Sequence, residues 1–306
     1  MPRIAYFGPS GTFTEMALVK LESANVFDGP VERVPAPSQG AALELIRADE
    51  VDGAVVPIES SVEGSISPTL DALAVGPRLQ IVAETELDVA FTIVARPGVA
   101  LDEVQTLAAY PVAAAQVRMW LSRHMPQARL YTSSSNAAAA EDVVSGHAEA
   151  AVSTALAGER LGLAVLASGV ADHDQAVTRF VLVTRPRVAP PRTGADRTSL
   201  VVLELANEPG ALMRVFAEFA TRGVDLTRIE SRPTRTGMGT YRFYLDCVGH
   251  IDDTAVAEAL KALHRTAGRI RFLGSWPASS PSGSTPPPDE PAAAWLEDLK
   301  KGVADL

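Results

Sequence analysis

Ile4-Ala5-Tyr6-Phe7-Gly8-Pro9-Ser10-Gly11-Thr12-Phe13-Thr14-Glu15 reads as a short apolar strand that turns through glycines into a helix. The glycines permit a tight turn and close backbone approach, and free N–H groups at the helix start can hold an anion. Thr12 and Glu15 also have the spacing of a capping box, which accounts for the same residues without a ligand. The two readings are compatible. The motif is not a P-loop, because no Gly-Lys-Ser/Thr follows, and it lacks the third glycine of a dinucleotide fingerprint.

Working outward, the strand-then-helix unit recurs through the first 185 residues. Strand-like runs cover 33–36, 53–58, 81–95, 105–109 and 148–152, and helical patterns cover 12–21, 39–48, 112–124, 136–145 and 154–161. Such alternation predicts an α/β fold with largely parallel sheets covered by helices. The apolar run 79–96 is too long for one average strand and can carry the chain from one lobe to another. A late strand, 179–184, can then return it. The expectation is a two-lobed region, 1–185, with lobe one at about 1–78 and 168–185 and lobe two at about 79–167. A cleft between lobes is a favoured place for a small molecule.

Residues 186–197 break the pattern with Pro186, Pro190, Pro191 and Gly194, a linker by composition. Beyond it, strands at 200–205, 225–232, 240–248 and 269–273 alternate with helices at 209–222 and 254–265. This βαββαβ order predicts a ferredoxin-like α+β domain over 198–276. A tail, 277–306, opens rich in Pro and Ser, which reads as disordered, and carries a short accessory helix at 292–300.

Composition narrows the function. A formal net charge of −10 argues against nucleic acid, which needs a basic stripe. Any anionic ligand must therefore be held by a local device, one Arg or helix N-termini. No apolar run is long enough to span a bilayer, and the N-terminus lacks the marks of a signal peptide. Cys247 is the one cysteine, which suits a reducing compartment, the cytoplasm. The five His residues are scattered without metal-ligand spacing, so no metal site is expected.

Three further stretches carry polar groups where ligands sit. Val56-Pro57-Ile58-Glu59-Ser60-Ser61-Val62-Glu63-Gly64-Ser65 leaves a buried-looking strand for a hydroxyl-rich loop, and strand C-terminal ends are ligand positions. Glu59 can accept hydrogen bonds or orient a partner, and Ser60 and Ser61 can donate; a helix start capped by serines explains them equally. Ser38, Gln116, Ser134 and Ser135, near helix starts or strand ends, read in isolation as caps or turns. Asp172-His173-Asp174-Gln175-Ala176-Val177-Thr178-Arg179-Phe180 runs from a polar loop into a strand. There a Thr hydroxyl can assist a leaving oxygen and an Arg can clamp a carboxylate. A hydrolase triad built on Asp172 and His173 lacks the Gly-x-Ser-x-Gly elbow. In the small domain, Asn207-Glu208-Pro209-Gly210-Ala211-Leu212 opens a helix and Ile229-Glu230-Ser231-Arg232-Pro233 closes a strand. Both have structural explanations, and both can line a pocket for a small amino acid.

In order along the chain, the segments 8–15, 56–64 and Thr178-Arg179-Phe180 resemble prephenate dehydratase, and Gly210-Ala211-Leu212 with Glu230-Ser231-Arg232-Pro233 resemble its ACT regulatory domain. The resemblance implies a two-lobed catalytic region of periplasmic-binding-protein architecture, with prephenate in its cleft. It implies conversion of prephenate to phenylpyruvate, water and carbon dioxide without cofactor or metal. It carries the essential Thr onto Thr178 and its neighbours onto Arg179 and Phe180. Gly11, Thr12, Phe13, Ser38, Glu59, Ser60, Ser61, Gly64 and Gln116 become substrate-binding candidates. Asn207, Pro209, Gly210, Ala211, Leu212, Glu230, Ser231, Arg232 and Pro233 become candidates for binding the effector L-phenylalanine. A homodimer or homotetramer through the ACT domains is implied, with no nucleic-acid or membrane partner. Three segments depart from the family: Ser60 stands where Asn is usual, Tyr110-Pro111 where His-Pro is common, and Asp174-Gln175-Ala176-Val177 where asparagines are common. The alternatives are an arogenate dehydratase, acting on the amino analogue of prephenate, or a non-catalytic amino-acid-binding regulator.

Overall fold

The computed structural model describes residues 1–173, 175–280 and 282–302; Asp174 of the loop before Thr178 lies outside them. The chain forms two compact units. One comprises Met1–Ala72 and Thr85–Arg185, the other Leu73–Glu84 with the chain from Pro186 onward.

The first unit contains two sheets. One is built from β1 (Arg3–Phe7), β2 (Glu32–Ala36), β3 (Gly53–Ser60) and the late β11 (Val177–Thr184), in the order β2-β1-β3-β11. β1 runs parallel to β2 and β3, while β11 returns antiparallel to β3. β3 reads as a near-continuous apolar run because it is buried on both faces, as parallel strands under helices are. Helices α1 (Phe13–Ser23) and α2 (Gln39–Arg47) cover this sheet, α2 burying Ala42, Leu43 and Ile46 at helical spacing. After β3 a short β4 (Gly64–Ser65) folds back onto it, and α3 (Ser67–Ala74) follows. The helix suggested at the serines thus begins at Ser67, because Ser60 caps a turn instead.

The run read at 79–96 divides into β5 (Gln80–Asp88), which crosses the boundary between units, and β6 (Thr92–Ala95). β6 enters the second sheet with β7 (Thr106–Ala109), β8 (Arg129–Thr132), β9 (Ala150–Ser153) and β10 (Ala164–Ser168), ordered β10-β6-β9-β7-β8. The helical pattern at 112–124 is two helices, α4 (Pro111–Gln116) and α5 (Arg118–His124), broken at Val117. On one face Phe91, Ile93, Leu107 and Val152 pack with Val117 and Leu121. On the other, α6 (Asn136–Val144) and α7 (Ala155–Arg160) bring small residues such as Ala137, Ala140 and Ala157 close to Val94, Ala108 and Ala151. β8 escaped detection because all four of its residues are exposed at the sheet edge, which leaves no alternation to read.

The second unit holds β12 (Asp196–Glu204), α8 (Ala211–Ala220), β13 (Leu226–Pro233), β14 (Tyr241–Val248), α9 (Thr254–Thr266) and β15 (Arg269–Pro277). The antiparallel order β13-β14-β12-β15 is the ferredoxin-like arrangement expected from the sequence. Leu200, Val202, Leu245 and Cys247 meet Val215 and Phe219 of α8 and Val256 and Leu263 of α9 in one core. The 73–84 segment is held here by Arg271, whose guanidinium donates to the carbonyls of Leu73, Val75 and Gly76, and by the Arg197–Glu84 pair at 3.2 Å, enclosed at both ends. Two compositional readings need adjustment. The Pro-rich connection is strapped down, His250 Nε2 lying 2.9 Å from the carbonyl of Pro190 and Arg192 pairing with Asp253. The start of the tail, read as disordered, is tied too, since Ser284 N donates to Asp225 at 3.0 Å before α10 (Glu290–Lys300). Among the described residues no helix is long and apolar enough to cross a membrane.

Candidate active site

Within the first unit, a cavity of about 460 Å³ is walled by both sheets' elements. Phe7, Thr12, Phe13, Ser60, Thr178 and Phe180 contribute from the first sheet and its helices. Phe91, Tyr110, Gln116, Ser135 and Asn136 contribute from the second. Phe13 meets Phe91 edge-on across the lobes, ring centroids 5.8 Å apart. No Lys or Arg is among the described lining residues, and Glu63 is the one charged side chain there. Helix starts supply the backbone counterpart of such a charge. The first turns of α1 (Phe13, Thr14), α2 (Gln39), α3 (Ser67, Pro68) and α6 (Asn136) all lie at the cavity wall. Helix starts carry N–H groups without intrahelical partners and the positive end of the helix dipole, so those of α1, α2 and α6 make a cavity suited to carboxylates.

Strand pairing explains how the Thr-Arg-Phe segment divides. In β11, Thr178 stands opposite Ser60 and Arg179 opposite Glu59, and a bulge then sets Phe180 opposite Pro57. Successive side chains alternate across a strand, so Thr178 and Phe180 share the cavity face while Arg179 turns away. The Thr178 hydroxyl has no hydrogen-bond partner among the described residues. Arg179 is enclosed and donates from Nε and Nη2 to Glu59 Oε2, at 3.1 and 2.7 Å. Glu59 therefore orients an arginine, and both lie off the cavity lining.

The other candidates separate similarly. Ser60 lines the cavity, its Oγ accepting from the N–H groups of Val62 and Glu63. Ser61 pins the start of β11, accepting from Val177 N at 2.9 Å. Thr12 caps α1, accepting from Glu15 N and donating to the Phe7 carbonyl at 2.9 Å. Ser38 caps α2 through Ala41 N and stands behind the lining residue Gln39. Gly64 has φ +74 at the turn into β4, outside the lining. Gln116 lines the wall and donates to Glu63 at 3.3 Å.

Gly11 is needed for the approach of the lobes. It has φ +91, and a Cβ there would sit 3.0 Å from the Ala157 Cβ of α7; its carbonyl accepts from Thr154 at 2.8 Å. Its N–H donates to Glu15 at 2.7 Å, so the acidic half of the capping box reaches one residue past the cap. Burial pushes the Glu15 carboxyl up, but hydrogen bonds from Gly11, Arg160 and Ser10 outweigh it and hold the group below its ordinary value. Asp172, the acid of the weak triad reading, is a helix cap: its carboxylate accepts from the N–H groups of Met119 and Trp120 at 2.8 and 2.9 Å.

Asn136 was read from the sequence only as a helix start. Its amide oxygen is out of solvent without a hydrogen-bond partner, at the cavity wall. The Ser135-Asn136 cap was visible in the sequence, but that it faces Thr12 and Thr178 was not.

In the second unit, Asn207, Ala211 and Leu212 line a separate cavity of about 370 Å³ with Thr234 and Tyr241. Pro209 and Gly210 shape the turn before α8, Gly210 having φ +79. Glu230, Ser231, Arg232 and Pro233 lie along β13, the outermost strand of that sheet, and do not line the cavity.

Comparison with known proteins settles the family. A model of the family described as prephenate dehydratase matches residues 4–188, most of the chain. The chain belongs to the prephenate dehydratase family. An ACT domain model matches residues 198–265. A prephenate dehydratase of Mycobacterium marinum is 55% identical over 99% of this chain and 97% of its own length. Among solved structures, a prephenate dehydratase from Arthrobacter aurescens in complex with L-Phe is 42% identical, with a TM-score of 0.88 over 98% of this chain and 99% of that one. A second, described as GqqA, a novel type of quorum quenching acylase, is 27% identical with a TM-score of 0.75, covering 90% of this chain and 98% of that one. The prephenate dehydratase family thus supplies a frame for the geometry above.

Proposed function

We propose that this chain converts prephenate to phenylpyruvate, with phenylalanine acting through the ACT domain to adjust the rate. The observation that carries the reading is the cavity, where an unpartnered Thr178 hydroxyl faces an aromatic wall and helix N-termini replace basic side chains. The prephenate dianion loses carbon dioxide and hydroxide, leaving phenylpyruvate with one negative charge, and a proton taken up turns the hydroxide into water. Electrons of the breaking carbon–carboxylate bond enter the ring as the carbon–oxygen bond breaks. Aromatisation drives the step, so the protein needs to position the dianion and help hydroxide leave.

Thr178 donates a hydrogen bond to the departing oxygen as it gains charge. A Thr hydroxyl is a poor acid, so hydrogen bonding rather than full proton transfer is its role. Helix N-termini suit the carboxylates better than an arginine clamp would. A bidentate guanidinium on the carboxylate that must leave would stabilise the ground state against reaction. Arg179, committed to Glu59, acts by holding β11 and therefore Thr178 in place. Incubating the purified chain with prephenate should yield phenylpyruvate; a folded chain that yields none refutes the reading.

For regulation, the cavity beside Asn207 and Leu212 offers an amide for a polar head and, with Phe243, an apolar wall for a ring. Phenylalanine binding there would bias the catalytic region through differential affinity for its states. The outermost strand β13 provides an edge for pairing ACT domains into a homodimer or homotetramer. Calorimetric titration of phenylalanine, with sedimentation before and after, tests both points; absence of binding heat refutes the effector assignment. The lone buried Cys247 supports a reducing compartment, the cytoplasm.

A further inference from the structure

Glu63 stands out in a cavity meant for a dianion, because it is the one charged side chain among the described lining residues and it is acidic. It is also held there. Its Oε1 accepts from Gln116 Nε2 at 3.3 Å, joining the loop after β3 to α4 of the other lobe. Gln116 in turn accepts at its backbone carbonyl from Asp172 N at 2.7 Å, and Asp172 caps α5. A carboxylate fixed at the wall repels both carboxylates of prephenate. It attracts a ligand with the same ring and carboxylates that carries an ammonium group where prephenate has its side-chain keto oxygen. We propose that Glu63 is a specificity-determining residue that sets the ratio in which the cavity accepts the keto substrate and its α-amino analogue, arogenate. The inference rests on the reading of this cavity as the dehydratase site. One charge pair about 5 Å apart, in a dielectric between protein surface and water, changes affinity by about tenfold.

The test is steady-state kinetics of wild type, Glu63→Gln and Glu63→Lys on prephenate and on arogenate, with thermal midpoints alongside. Gln keeps the length and an acceptor for Gln116 while removing the charge. The expected result is an arogenate-to-prephenate ratio of kcat/KM lowered about tenfold in Glu63→Gln, mainly through KM, and lowered further in Glu63→Lys. Rising salt should lower the wild-type ratio in the same direction. A ratio unchanged in folded variants that still turn over prephenate overturns the inference and leaves the dehydratase reading standing. A folded wild-type chain inert toward both substrates overturns that reading, and this inference with it.

Discussion

Replacing Thr178 separates chemistry from folding, because its hydroxyl faces the cavity and bonds to none of the described residues. Removing it orphans no protein donor or acceptor among them, so the usual penalty for an unsatisfied buried group does not arise. What remains is the exchange of a β-branched residue for a smaller one in a strand, within about 1 kcal/mol. The activity cost is set by a different quantity. A positioned donor to an oxygen gaining charge is worth about 2.7–4 kcal/mol, a factor of roughly 10²–10³ in kcat. Thr178→Val, which keeps the shape and loses only the donor, should match Thr178→Ala. Thr178→Ser keeps the donor but loosens its rotamer, and should fall by roughly tenfold. Phenylpyruvate formation under saturating prephenate gives kcat, and thermal unfolding of the same samples gives stability. A Thr178→Val enzyme within about threefold of wild type would refute the role assigned to the hydroxyl.

Three other perturbations reach different parts of the argument. Gly11→Ala must hold a side chain at φ +91 with its Cβ 3.0 Å from Ala157, and should cost about 2 kcal/mol or more in urea unfolding while raising KM; an unchanged midpoint would show that α7 yields easily. Glu15 titrates below its ordinary value of 4.5 in the folded state, so it adds stability above that pH and loses it as pH falls through the folded value. Glu15→Gln should therefore be less stable than wild type at neutral pH, the gap closing below 4.5; a gap constant across that range would contradict the hydrogen-bond network. In the ACT domain, Arg228 meets Asp246 at 2.9 and 2.8 Å, both buried, so Arg228→Met should cost about 3–5 kcal/mol, and adding Asp246→Leu should recover much of it in denaturation curves.

Much of the architecture was legible because periodicity and turn chemistry act locally. The β1–turn–α1 unit could be read from four apolar residues, two glycines and a Thr-x-x-Glu cap, and the ferredoxin-like order from its spacing alone. Elements with no amphipathic pattern were not legible: exposed β8, and the break at Val117 that turns one helical run into α4 and α5. The tie between Ser284 and Asp225 was not legible either, since low complexity says nothing about where a backbone N–H finds its acceptor.

By itself the sequence determined the two fold classes and, through its ordered motifs, the family. Those properties rest on local patterns that survive without coordinates. Only the tertiary structure decided which candidate polar groups converge. Alternation along β11 turns Thr178 into the cavity and Arg179 onto Glu59. The packing of two lobes brings the starts of α1 and α6, more than a hundred residues apart in sequence, to one wall that has no Lys or Arg among its described residues. Net charge and residue type cannot express that, because the positive potential belongs to helix ends and exists only once the helices are aimed.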